Sequence, residues 1–293
     1  MLIGTTRVPL PIGHIDHAEL SILEADLLKA VGGQSMLEEK LRSFFRAAID
    51  EVIDTARSGR YYFSDLEKTE KTYLGTKFEI LLRDWLQVPR GVRLDLLIGG
   101  REVDVKSTTV GYGWMIPPEA VDQFCILLRV NEQDAKCAVG LIRARSEYLS
   151  VGNNRDSKKT ITAANRQHIW WLVSDFAYTR NFWSLVSDSD RQMIAALHGT
   201  RALALLFERY QGLPVSRVQI AAIAQQDDFM RRIRRGGGAR DVLAPKQIAI
   251  LYSETDRDVM RQLGLEFGYR EFMSYSPKNA DERSLLLKAN HID

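Results

Sequence analysis

The sequence predicts an α/β domain built on a mixed sheet, followed by a mainly helical domain. Two alternating runs meet at Gly99-Gly100, a two-residue hairpin signal. The stretches QFCILLRV (123–130) and CAVGLIRA (137–144) read as two further strands, the first nearly all apolar and therefore central. From Asp190 onward the apolar spacing turns to threes and fours, broken by one short strand-like stretch. At 293 residues the chain is long enough for two separate cores. The boundary is placed at 180, giving domains 1–180 and 181–293.

The elements follow in order. Ala18–Val31 forms a helix with Leu20, Leu23, Leu27 and Leu28 on one face, ended by Gly32-Gly33. A second helix, Ser35–Arg57, carries Leu37, Leu41, Phe44, Phe45, Ala48, Val52 and Ile53, and Gly59 stops it. A third, about Thr72–Leu86, has Leu74, Phe78, Leu81, Leu82 and Trp85 as its stripe, with Glu79 at the edge. Asn153–Thr162 is a basic loop, followed by an expected helix through His168, Trp170 and Trp171. Helices are then expected at Asp190–His198, Thr200–Tyr210 and Ser216–Arg235, the last capped by Ser216. A strand at Gln247–Tyr252 completes what fits a helix-turn-helix or winged-helix module, and the tail beyond Gly268 carries no pattern.

With 45% hydrophobic and 27% charged residues, the composition is that of a soluble globular protein. The N-terminus lacks a basic region leading into an apolar run, and no stretch of about 18 apolar residues occurs. A cytoplasmic protein without a membrane span is expected. Cys125 and Cys137 match neither a redox pair nor a zinc site and are expected to be buried thiols. A net charge of +2 excludes little, because arginines can still gather on one surface.

The hairpin permits a register argument. If Ile98 pairs with Arg101, paired positions sum to 199, so Asp95 faces Asp104 and Arg93 faces Lys106. One face is then Arg93, Asp95, Leu97, Glu102, Asp104 and Lys106; the other is Leu94, Leu96, Ile98, Val103 and Val105. Opposed aspartates destabilise a sheet unless something neutralises them, and a divalent cation would. An Asp-x-Lys on a hairpin is usually only a solvated face, but this opposition argues for more.

Phosphodiester hydrolysis needs an activated water, a stabilised leaving group and a neutralised phosphate, which one or two Mg²⁺ ions on carboxylate ligands supply. Asp104 and Lys106, two apart on a strand, share a face. Asp95 would share the metal, Glu79 would complete the site from its helix, and Lys106 would act on the attacking water or on the phosphate charge. These residues suit a metal-dependent DNA-cleaving site.

Arg231, Arg232, Arg234, Arg235 and Arg240 crowd ten positions. A helix C-terminus favours cations, but five exceed that need, so phosphate contacts are expected. Lys158 and Lys159 read first as solvated charges and second as DNA-backbone contacts. Tyr61, Tyr62, Phe63, Trp170, Trp171 and Trp183 read as core.

The blocks KTEKTYLGTKFEI, VDVKS, GWMIPPEA, NNRD and AQQDDFMRRIRRGGGAR together resemble the NaeI family of type II restriction endonucleases, over roughly Arg60 to Leu243. The resemblance implies a PD-(D/E)xK nuclease fold in the first domain and a winged-helix-like DNA-binding fold in the second. The family's acidic metal ligands and lysine fall on Glu79, Asp95, Asp104 and Lys106, and the nominal Pro-Asp is Leu94-Asp95 here. It further implies Mg²⁺ as cofactor, a homodimer cutting both strands of double-stranded DNA at a palindrome, and a second DNA site. That second site would fall on 216–240, including Gln225, Gln226, Arg231 and Arg232. Two alternatives stand beside it: a methylation-dependent endonuclease whose winged helix reads a modified base, and a non-catalytic DNA-binding regulator.

Overall fold

The computed structural model describes residues 7–151 and 156–293, so Asn153, Asn154 and Arg155 of the basic loop and the NNRD block lie outside the described residues. The chain forms two units: Met1–Glu38 with Lys68–Tyr178, and Glu39–Glu67 with Thr179–Asp293. The later division falls beside the expected boundary at 180. Residues 39–67, expected in the first domain, associate with the second unit. There Glu39 accepts from Arg257 (2.7 Å), Ser43 Oγ accepts from the Tyr269 N–H (2.7 Å), and Asp50 accepts from the Ser216 hydroxyl (3.0 Å).

In chain order, α1 (His17–Val31) ends at Gly32 in the left-handed region, and α2 (Gln34–Ile53) follows. The expected second helix breaks at Asp54, whose φ is 46°, before the single turn α3 (Thr55–Ser58) that Gly59 closes. The third expected helix is α4 (Lys68–Leu86), one turn longer at its start.

The hairpin strands β1 (Leu96–Ile98) and β2 (Arg101–Thr108) keep the expected register: Ile98 with Arg101, Leu97 with Glu102, Leu96 with Val103. Gly99 and Gly100 have φ of 55° and 76°, the two positive values that such a turn requires. A Cβ at Gly99 would meet Asp26 Oδ2 at 1.9 Å, so any side chain there would displace Asp26 from its ion pair with Arg101.

Next come β3 (Met115–Ile116), β4 (Phe124–Asn131), β5 (Lys136–Arg143), β6 (Lys159–Thr160) and β7 (Trp170–Ala177). The main sheet of the first unit has order β1-β2-β4-β5-β7; β2 and β4 run parallel and the other neighbours antiparallel. The nearly all-apolar β4 is the central strand, as expected. The expected helix through Trp170 and Trp171 is instead strand β7. His168 closes a short 3-10 turn, and the residues after it largely alternate between buried and exposed, the period of a strand. Cys125 and Cys137 are free, buried thiols.

The second unit continues with α5 (Asp188–Ala195), α6 (Gly199–Arg209), β8 (Val215–Ser216) and α7 (Arg217–Ala224). Then follow α8 (Ala239–Leu243), β9 (Ala249–Tyr252), α9 (Arg257–Gln262), β10 (Glu271–Tyr275) and α10 (Ala280–Lys288). Ser216 caps α7 as expected, in a reciprocal capping box with Gln219. The expected helix to Arg235 stops at Ala224, because Gln225 adopts the left-handed conformation (φ 51°). The tail, read as patternless, supplies β10, the middle strand of an antiparallel sheet ordered β8-β10-β9. All five β10 residues, EFMSY, are buried, so alternation was never going to mark it. Among the described residues, no helix is long and apolar enough to cross a membrane.

Candidate active site

Three elements of the first unit present the expected group. On α4, Leu74, Phe78, Leu82 and Leu86 recur every four residues and are buried, which turns Glu79 to the half-buried edge of that stripe. Asp104 and Lys106 stand two apart on β2. Asp95 lies in the bend just before β1, one residue beyond the last ladder pair.

Asp95 is therefore not a ladder partner of Asp104, as the register argument had it. Its Oδ2 instead accepts from the Val105 N–H at 2.8 Å, so a side chain continues the pairing where the main chain stops. The two carboxylates still interact, each close enough for Asp95 to raise the pKa of Asp104 by charge and by hydrogen bonding.

Lys106 ties the group together. Its Nζ lies 2.9 Å from Asp104 Oδ1, 2.8 Å from Asp104 Oδ2 and 3.9 Å from Asp95 Oδ2. The neutralising cation that opposed aspartates require is, within this chain, the ammonium of Lys106. Burial pushes the Asp104 carboxyl up to about 6 against the pull of Lys106, and burial with repulsion from Asp95 pushes Glu79 up to about 7. Burial works against the Lys106 charge, but Asp104, Asp95 and Glu79 outweigh it and raise its pKa.

The donor set fits a hard divalent cation. Asp104 Oδ2 is buried and faces the Lys106 ammonium at 2.8 Å, and a carboxylate oxygen so paired keeps a second lone pair for a ligand. Among the described residues no three His, Cys, Asp or Glu converge into a ready-made cage. Mg²⁺ does not need one, since it usually keeps several waters and takes one or two carboxylates together with substrate phosphate oxygens.

The expected DNA-contact residues divide. Lys159 sits in β6 opposite Ile116, and both Lys158 and Lys159 are half-buried in the first unit. In the second unit the arginines follow α7 rather than ending it, in the 3-10 turn Phe229–Arg232 and beyond, so its macrodipole does not account for them. Arg231 and Arg234 are exposed and have no ion pair among the described residues. Arg232 pairs with Asp228 (3.0 Å) and Arg235 with Asp293 (3.5 Å). Arg240 is largely buried beside Asp256 (3.4 Å), and burial lowers its pKa, marks of an internal role. Gln225 and Gln226 are exposed on the rim of a cavity of about 620 Å³ that Tyr61, Trp183, Arg191 and Phe229 also line.

The family described as restriction endonuclease NaeI matches residues 37–278. The type II restriction enzyme NaeI of Lentzea aerocolonigenes is 34% identical over 236 residues, covering 78% of this chain and 74% of that enzyme. This chain belongs to the NaeI restriction endonuclease family. As a NaeI-family member it is a site-specific deoxyribonuclease acting on double-stranded DNA. The NaeI-family match encloses α4, the hairpin and the arginine segment.

One residue near this group was passed over in the sequence. Glu102 was placed on the same face as Asp104 and Lys106 without a role, yet its carboxylate accepts from the N–H groups of Val92, Arg93 and Leu94. The available signal was an acidic residue one pair from a hairpin turn, in a strand whose partner is preceded by the Pro- and Gly-containing segment PRGVRL.

Proposed function

We propose that the chain is a Mg²⁺-dependent type II restriction endonuclease whose cleaving site is Glu79, Asp95, Asp104 and Lys106, in a PD-(D/E)xK nuclease domain. The observation that carries this is the Lys106 ammonium in contact with the buried Asp104 carboxylate and near Asp95. Asp104 and Asp95 hold the metal, with Glu79 joining directly or through water. When bound, the metal supplies Lewis acidity and an acidified water.

The chain's own groups do the rest. Asp95 stays fixed because its second function is to cap the Val105 N–H. Lys106, held by Asp104, offsets the charge that grows on the phosphate and orients the attacking water toward phosphorus. Glu79, with a pKa near 7, can hold or release a proton at the pH of the reaction.

The second unit acts as a winged-helix-like DNA-binding domain. Its support is the element order α6-β8-α7-α8-β9-α9-β10 with sheet order β8-β10-β9, a small antiparallel sheet beside helices with α9 inserted between its last two strands, and the exposed Arg231 and Arg234 between α7 and α8. Gln225, Gln226, Arg231, Arg232, Arg234 and Arg235 are its DNA-facing candidates, with Lys158 and Lys159 as backbone contacts in the first unit. A homodimer acting at a palindrome, with an effector copy of the site in the second domain, completes the proposal. The test is Asp104→Ala: loss of metal-dependent plasmid cleavage with DNA binding retained supports the site, and retained cutting overturns it.

A further inference from the structure

The geometry assigns to Glu102 the role of a positioning residue, one that sets Asp95 in the active site by gathering the main chain in front of it. This rests on the reading of Asp95 as a site carboxylate.

The β1–β2 ladder stops at Leu96 with Val103, so no strand pairing holds residues 92–95. Glu102 replaces it. Its side chain reaches back from β2, with Oε1 accepting from Val92 N (2.6 Å) and Arg93 N (3.1 Å), and Oε2 from Arg93 N (3.0 Å) and Leu94 N (3.0 Å). Three consecutive N–H groups converging on one anion form a nest, a geometry the main chain adopts around negative charge. The next residue is Asp95, whose carboxylate in turn accepts from the Val105 N–H, so hydrogen bonds hold both the main chain leading into it and its side chain.

The chain also turns tightly just ahead of the anchored residues. Gly91 is wedged against the chain it leads into: a Cβ there would meet Leu94 O at 2.7 Å and Leu96 O at 3.1 Å. Val92 is 96% exposed, so apolar burial reaches the three-residue nest only at Leu94. Leu94 and Leu96 on either side of Asp95 are buried in the core, and the Glu102 carboxylate fixes the N–H groups of the segment that leads into them. Glutamine keeps the size but offers one acceptor oxygen to three donors and turns its own N–H₂ toward them.

The experiment compares wild type, Glu102→Gln, Glu102→Asp and Asp95→Asn. Amide exchange in metal-free protein is read first. Glu102→Gln should speed exchange at Val92, Arg93 and Leu94 and also at Val105, while the rest of β2 and the melting temperature stay close to wild type. Cleavage should fall about 10- to 100-fold, as for other outer partners of metal ligands, with the Mg²⁺ concentration for half-maximal rate raised and DNA binding in EDTA unchanged. Glu102→Asp, a shorter carboxylate, should fall between. Wild-type protection at Val105 together with wild-type cleavage in Glu102→Gln overturns the assignment. If Asp95→Asn is inactive while Glu102→Gln cleaves normally, only the role of Glu102 falls; if Asp95→Asn cleaves at full rate, the reading of the site itself falls.

Discussion

The Lys106 ammonium lies 2.8 Å from the Asp104 carboxylate two residues before it on the same strand, with Asp104 only 3% exposed. Stripping one partner from a buried pair costs about 3–5 kcal/mol when the other must stay charged. Asp104 has an escape, because with its pKa already at about 6 it can take up a proton. Lys106→Ala should therefore fold, bind DNA at least as well as wild type without metal, and lose cleavage by about 100-fold or more. Single-turnover cleavage alongside gel-shift titration checks this, and cutting within a few-fold of wild type would remove Lys106 from the chemistry.

Acid should inhibit cleavage in a defined window. Glu79 and Asp104 are held up at about 7 and about 6, so both are protonated as pH falls through those values, and each proton occupies an oxygen needed to accept or ligate. The rate should climb from pH 5.5 to about pH 8 and then level, steeper than one proton alone allows. Raising Mg²⁺ should move the limb to lower pH, since metal and proton compete for the same oxygens. A profile flat from pH 5.5 to 8, at limiting Mg²⁺, would contradict the arrangement.

The arginines separate by their partners. Arg231 and Arg234 are exposed without ion pairs among the described residues, whereas Arg240 is tucked against Asp256. Changing Arg231 or Arg234 to Ala should each reduce the slope of log affinity against log salt by about one. Arg240→Ala should leave the slope alone and lower the unfolding midpoint instead. Slopes equal to that of wild type in the Arg231 and Arg234 variants would return the cluster to a solvated surface.

How legible this was in the sequence depended on whether the cause was local. The hairpin register came from Gly99-Gly100 and period-two alternation, both local, and it held over three pairs. The grouping of Asp95, Asp104 and Lys106 followed from that register, with Glu79 added from the edge of the apolar stripe of its helix. Direct opposition of Asp95 and Asp104 did not, because a side-chain bond to Val105 ends the ladder one residue early. Strand β7 and strand β10 escaped for different reasons. Burial on both faces erases alternation in EFMSY, whereas IWWLV at 169–173 carries the β-branched and aromatic content of a strand that the helix expectation passed over. The early end of α7 at Gln225 rests on a left-handed residue that carries no glycine to announce it.

Glu271 predicts how stability varies with pH away from the active site. It is 2% exposed, accepts from the Thr179 hydroxyl (2.7 Å) and the Gly268 N–H (2.7 Å), and burial, with repulsion from Asp50, pushes its carboxyl up to about 7 from an ordinary value of 4.5. Between those values the folded chain keeps a proton that the unfolded chain has released. Its contribution is thus fully present below about pH 4.5, falls as pH rises, and is gone above about pH 7. The loss is on the order of 1–3 kcal/mol, at about 1.4 kcal/mol per unit. Glu271→Gln carries no titrating proton, and whatever the amide costs is the same at every pH. Urea unfolding at pH 5 and pH 7.5 should therefore show Glu271→Gln gaining on wild type by that amount at the higher pH. A stability difference that is identical at both pH values would mean that Glu271 is ionised throughout, held by Thr179, Gly268 and Arg42 against its burial.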